Sequence, residues 1–169
     1  MYSSDRIEAI RRTVHADAST WTTNAEERLG LSKEIARCRA FIEGHSWCDA
    51  VNGIWLGVGI SGVVIVCLVE IEAAADVDKW LWVVGGDVPS AYLVTDDAAN
   101  PIEALEVYCD LMEDWANSVM SGSSLDESFP VRAPADKQHA ADLLHRVSFI
   151  RAELIPDFRA HGSYPIITS

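Results

Sequence analysis

An almost unbroken apolar run occupies residues 63–71 of this chain, with Glu70 as its single charged residue. Residues 63–66 are all β-branched, which favours an extended strand over a helix. Successive side chains of a strand point to opposite faces, so a strand that is apolar on both faces has to be shielded from water. The run therefore predicts a strand in the middle of a sheet, with helices covering at least one face.

Shorter aromatic and β-branched runs flank this strand and are separated by turn residues. The pair Asn52-Gly53 is a strong turn signal between the first two runs. This spacing predicts an antiparallel sheet of about four to five strands within residues 46–95. The predicted strands cover residues 47–51, 54–58, 63–71, 79–84 and 91–94.

Helical patterns precede and follow the predicted sheet. Asn24 with Glu27, and Asn100 with Pro101 and Glu103, are capping signals that mark two helix starts. A later proline, residue 156, is expected to end or kink the last helix, because proline cannot donate the backbone hydrogen bond of a helix interior. The predicted helices lie within residues 4–43, which hold two of them, and within residues 101–120 and 135–156.

The 169 residues are expected to form one α+β domain over residues 1–169, in which four helices flank a central antiparallel sheet.

Residues 50–69 are uncharged over a length that could cross a bilayer, but their glycines and β-branched residues favour strands, so no membrane span is expected. No secretory signal is evident, which predicts a cytoplasmic protein. The dispersed cysteines are expected to be reduced thiols.

Charge is distributed unevenly along the chain, which has 13 basic and 26 acidic residues and a formal net charge of −13. Residues 40–131 contain sixteen acids and one base, whereas the segments on either side are close to neutral. Because nucleic-acid binding relies on Lys and Arg that neutralise phosphates, this balance argues against direct nucleic-acid binding. It indicates instead a surface that meets a positively charged protein.

The densest acidic pattern falls on the predicted helix 101–120, where carboxylates recur at spacings of three and four residues. Such like-charge pairs cost about 0.2–0.5 kcal/mol each in an isolated helix. A solvated face that keeps the protein soluble is one interpretation; a face that binds a basic partner is the one we adopt. The predicted partner-binding residues are Asp96, Asp97, Glu103, Glu106, Asp110, Glu113 and Asp114, with Trp21 as a partly exposed aromatic anchor or a clamp on the helix after it.

Two further functions are considered from the sequence. Glu106, Asp110 and Glu113 could hold a divalent metal ion in an enzyme, and residues 57–62 match a GxGxxG nucleotide loop, although the β-branched run after them favours a hairpin. The apolar stripe of the last helix could instead form a homodimer. Because no catalytic motif is present, we expect no catalytic residues, no metal and no cofactor.

Most of the six tryptophans are expected in the core.

Two stretches resemble segments of uncharacterised small bacterial proteins: Trp80 to Thr95 (WLWVVGGDVPSAYLVT) and Asn100 to Leu105 (NPIEAL). In size, acidity and absence of a catalytic signature, the chain is similar to immunity proteins of bacterial toxin systems and to phage-encoded inhibitors of nucleic-acid enzymes. The resemblance implies a small inhibitor that neutralises a basic partner, such as a toxin nuclease or a nucleic-acid-handling complex. It gives no individual residue a role.

Overall fold

Residues 4–161 are described by the structure, a computed structural model, and their strands form one antiparallel sheet. The strands are β1 (Cys48–Ile60), β2 (Val64–Ala73), β3 (Trp80–Gly86) and β4 (Ala91–Val94), which lie side by side in sequence order. The helices are α1 (Ser4–Arg11), α2 (Ala25–Glu43), α3 (Pro101–Ser121), α4 (Lys137–Phe149) and α5 (Ile155–Ala160). The predicted single α+β domain is confirmed, with a sheet of four strands.

β2 is buried on both faces, as its apolar run predicts: residues 64–69 have no exposed surface. Val64, Val66 and Leu68 belong to a core shared with α1, α3 and the C-terminal helices. Ile65 and Cys67 belong to a second core beneath α2. Helices therefore cover both faces of the sheet, with α2 on one side and α3 on the other.

β1 runs through Asn52-Gly53, so the turn predicted at this pair is wrong. The register with β2 shifts between Val51 and Gly53, which marks an irregularity of the β-bulge type that a strand can absorb without ending. The ring of Trp55 folds back over Gly53, where a Cβ atom would lie 2.3 Å from the indole. The chain turns at Gly62 instead, whose φ is +78°. The predicted strands 47–51 and 54–58 are thus one strand.

The last helical segment does not end at Pro156, but its regular α-helix is interrupted just before this proline, where an end or a kink is expected. A π-helical turn (Ile150–Leu154) joins α4 to α5, and the amide of Ile155 donates to the carbonyl of Ile150 five residues earlier. This wider turn leaves room for a ring that would clash with a carbonyl in a regular α-helix. The apolar stripe of the segment is buried in the core with α3, so it does not offer the proposed homodimer surface.

Two of the six tryptophans, Trp82 and Trp115, are buried, so the expectation that most are core residues is too strong. The indole of Trp82 donates to the carbonyl of Ala98 at 3.0 Å. The other four, Trp21, Trp47, Trp55 and Trp80, are half-buried and pack at the rims of the two cores. Among residues 4–161, no helix has the length and apolar character needed to cross a membrane, and residues 50–69 lie mainly in strands.

Candidate interaction surface

The acidic face of α3 begins with a residue that is already engaged in capping the helix. The Asn100 side chain accepts hydrogen bonds from the amides of Ile102 (3.0 Å) and Glu103 (2.9 Å). Glu103 in turn accepts from the Ala99 amide at 3.2 Å and from the Asn100 side chain at 2.9 Å. This reciprocal arrangement satisfies amides that a helix start otherwise leaves without partners. Glu103 is exposed, but its carboxylate is used to cap the start of α3.

Three other carboxylates of this face form salt bridges with the C-terminal helical segment. Glu106 lies 2.7 Å from the guanidinium of Arg159. Glu113 lies 2.6 Å from Nε of Arg151, and Asp110 bonds to a terminal nitrogen of the same guanidinium. These hydrogen bonds raise the pKa of Arg151 above its ordinary value. The excess of acids in residues 40–131 is therefore partly balanced by arginines of the C-terminal segment.

The same contacts engage the three carboxylates that the sequence offers as metal ligands. Glu106, Asp110 and Glu113 direct oxygens at arginines, which are fixed positive charges. No group of three His, Cys, Asp or Glu residues within 4–161 is arranged to hold a metal ion. Cys109, behind this face, is fully buried, and burial raises the pKa of its thiol to about 12. It is a packing residue rather than a nucleophile.

The glycine-rich residues 57–62 form the end of β1 and the turn into β2, and no helix follows them. Gly57 allows α3 to approach the sheet, because a Cβ atom there would lie 2.5 Å from the ring of Pro101. A dinucleotide loop needs a helix start that faces the pyrophosphate. The hairpin interpretation is correct, and these glycines serve packing and turning.

The remaining predicted contact residues lie in different places. Asp114 is exposed on α3, one turn beyond Asp110. Trp21 is half-buried and packs against the core beneath α2. This position corresponds to the predicted clamp on the helix that follows it. Asp96 and Asp97 are exposed in a single 3₁₀ turn that follows β4. The structure thus does not bring all the predicted residues into one site.

A larger acidic surface forms where the sheet ends. The pairs Cys48↔Ala73, Glu70↔Trp80 and Leu81↔Val94 show that β1 and β3 begin, and β2 and β4 end, on the same side of the molecule. Five of its acids are exposed and two, Glu70 and Asp78, are half-buried. We call this surface the acidic end; it consists of Asp49, Glu70, Glu72, Asp76, Asp78, Asp96 and Asp97.

No carboxylate of the acidic end forms a salt bridge within residues 4–161, in contrast to Glu106, Asp110 and Glu113 of α3. Lys79 lies in the same loop as Asp76 and Asp78. Arg6 of α1 is also close, and its guanidinium donates to the backbone carbonyls of Thr95 (2.6 Å) and Asp96 (3.3 Å). These bases reduce the negative charge of the surface without cancelling it.

Sequence reasoning missed five of these seven residues, although a signal was present. Glu70, Glu72, Asp76 and Asp78 lie near the end of the predicted strand 63–71 or in the loop after it, whereas Asp49 lies in the middle of the predicted strand 47–51. Antiparallel neighbours place the start of one strand beside the end of the next, so such residues meet at one edge. Grouping acids by strand end, rather than by helix face, would have assembled the surface except for Asp49, whose place depends on β1 continuing through Asn52-Gly53. No known protein family, curated protein or solved structure matches this chain.

Proposed function

We propose that this chain is a binding protein that docks on a basic protein partner through the acidic end and neutralises it. The observation that carries the proposal is that seven carboxylates gather at one end of the sheet without a salt bridge within residues 4–161. The α3 acids, by contrast, are largely used within the fold. We therefore assign docking to the strand ends instead of α3, and Asp96 and Asp97 remain part of the proposed surface.

Electrostatics favours a cationic protein as the partner. Like charges held together repel one another, so the acidic end does not stabilise the fold by its own interactions. The same charges attract an oppositely charged surface and raise its association rate. A phosphate backbone would be repelled. A toxin nuclease or another nucleic-acid-handling protein has a basic surface of this kind, and a cytoplasmic inhibitor covering it would compete with nucleic acid.

Charge reversal tests the proposal. The test variant carries Asp49→Lys, Glu72→Lys and Asp76→Lys, all at exposed positions of the acidic end. Each form is immobilised and exposed to lysate of its source cells, and the retained proteins are identified by mass spectrometry. We expect the native chain to retain a basic protein that the test variant loses, because reversed charges repel a cationic surface.

A matched control separates local charge from net charge. Asp114→Lys, Asp126→Lys and Glu127→Lys change the net charge equally at exposed positions outside the acidic end. We expect this control variant to retain the same basic protein. If both variants lose it equally, or if no retained protein depends on the acidic end, the proposal is wrong. Circular dichroism checks that both variants are folded.

A further inference from the structure

A groove of about 740 Å³ opens between α1 and the loop that joins β2 to β3, beside the acidic end. Ile7, Glu8 and Arg11 of α1 form one wall. The other wall includes Asp76, Asp78 and Lys79 of the loop, together with Trp80 at the start of β3. The groove thus combines an aromatic ring with carboxylates on both sides, a combination that suits an organic cation.

Two tryptophans form the aromatic surface beside the groove. Trp55 of β1 and Trp80 of β3 stack across the intervening strand, with ring centroids 5.8 Å apart and an interplanar angle of 22°. Gly53 makes this possible, because only a residue without a side chain leaves space for the ring of Trp55. The two rings, which we call the tryptophan pair, are half-buried and rest on the α3-side core.

The chain's own Arg11 shows which chemistry the tryptophan pair accepts. Its guanidinium carbon lies 5.0 Å from the ring centroid of Trp55 and 5.8 Å from that of Trp80. Both distances are within the range of a cation–π interaction, for which the planar guanidinium is well suited. Arg11 is nevertheless exposed. A cation from another molecule can therefore reach the position it holds.

We propose that the groove binds an arginine side chain of the basic partner, which replaces Arg11 over the tryptophan pair and pairs with Asp76 and Asp78. The inference rests on the proposed function and names the chemistry by which the partner is recognised. Arginine is preferred over lysine because its planar group stacks on the rings while its N–H groups bond to carboxylates. Arg11 then acts as an internal competitor for the site.

A short labelled peptide of alternating arginine and glycine, with blocked ends, is the probe. Its affinity is measured by fluorescence anisotropy at low salt, beside peptides with lysine or citrulline in place of arginine. Citrulline keeps the planar shape without the charge. We expect the arginine peptide to bind most tightly and the citrulline peptide to bind at least about fivefold more weakly, since both charge and stacking contribute.

Two substitutions distinguish the groove from general attraction to an acidic protein. Arg11→Gln removes the competitor and should tighten binding of the arginine peptide by about threefold or more. Lys137→Gln makes the same charge change at an exposed position on α4 and should leave binding nearly unchanged. Trp80→Phe keeps an aromatic ring with weaker cation–π attraction and should weaken binding about twofold, and Trp80→Leu more.

Equal effects of Arg11→Gln and Lys137→Gln would overturn the proposal, because charge alone would then explain binding. Equal affinity for the arginine and citrulline peptides would overturn it too. Arg11 is exposed, so its replacement tests the site even if Trp80→Leu does not fold. If the peptide results fail while capture of a basic protein still depends on the acidic end, the groove is wrong and the proposed function stands. If capture is independent of the acidic end, the proposed function fails whatever the peptide shows.

Discussion

His15 is a histidine that burial keeps neutral. It is 4% exposed, its amide donates to the Leu56 carbonyl at 2.8 Å, and its Nδ1 lies 2.6 Å from the hydroxyl oxygen of Thr20. Burial lowers the pKa of this imidazole from 6.5 to about 4. In the unfolded chain the ring takes up a proton near its ordinary pKa, whereas the folded chain resists protonation until the pH approaches 4. Stability should therefore fall as the pH drops through this window.

Replacement of His15 by Gln should reduce this pH dependence, because an amide does not titrate. Between pH 7 and pH 4.5, the free energy of unfolding of the native protein should fall by about 2 kcal/mol more than that of the variant. Urea unfolding at the two pH values measures the difference. The carboxylates titrate in both proteins and cancel in the comparison. Identical pH dependence would show that His15 is not protected from protons in the folded state.

At the level of single residues, sequence reasoning succeeded where the chemistry is local. Asn24 and Asn100 cap the helices that their spacing predicts, with their side chains accepting from Glu27 and Glu103 amides. It failed at Asn52-Gly53, where the pairing of β1 with β2 continues through a turn signal. The turn preference of these two residues is outweighed by the long pairing of β1 with β2, which also buries an apolar residue next to them.

The start of α3 offers a direct check of the capping geometry. Asn100→Ala removes the acceptor for two backbone amides and the side-chain partner of Glu103. We expect the free energy of unfolding to fall by about 1 kcal/mol, with the fold unchanged. Chemical denaturation measures the loss, and Asn117→Ala, on the exposed face of the same helix, is the control. Equal stability of the Asn100 variant and the control would contradict this role.

Arg151 joins the C-terminal helical segment to α3 through Asp110 and Glu113. Arg151→Met keeps the apolar stem and removes both salt bridges, so we expect a loss of about 1 kcal/mol in the free energy of unfolding. The Glu113→Gln substitution should cost less in the Arg151→Met background than in the native protein, because its partner is already absent. Additive losses in this double-mutant cycle would mean that the pair is not coupled.

Elements were easier to predict than their contacts. Periodicity and caps predicted α2 and α3 closely, since both patterns lie within a few neighbouring residues. The salt bridges of Arg151 join residues 38 and 41 positions apart. No local pattern indicates which helix face a distant arginine meets. The continuation past Pro156 also depends on a π-helical turn that helical periodicity does not reveal.

For the molecule as a whole, the net charge of a sequence segment does not show where unpaired charge lies in the fold. Residues 40–131 have a large excess of acids, but folding places Arg151 and Arg159 against Glu106, Asp110 and Glu113. Arg146 likewise lies 3.3 Å from Asp87. Seven carboxylates that form no salt bridge within residues 4–161 gather instead at the acidic end. The fold class followed from the sequence, whereas the position of the free charge required the pairing of distant segments.

The association rate of the captured basic protein tests the central claim most directly. It is measured as a function of salt for the native chain, for the Asp49, Glu72 and Asp76 reversal variant, and for the equally charged Asp114, Asp126 and Glu127 variant. If the acidic end is the docking surface, the Asp49, Glu72 and Asp76 variant alone should associate about tenfold more slowly or slower still, with a flatter salt dependence. Equal slowing in both variants would contradict the account, because net charge rather than the acidic end would then control docking.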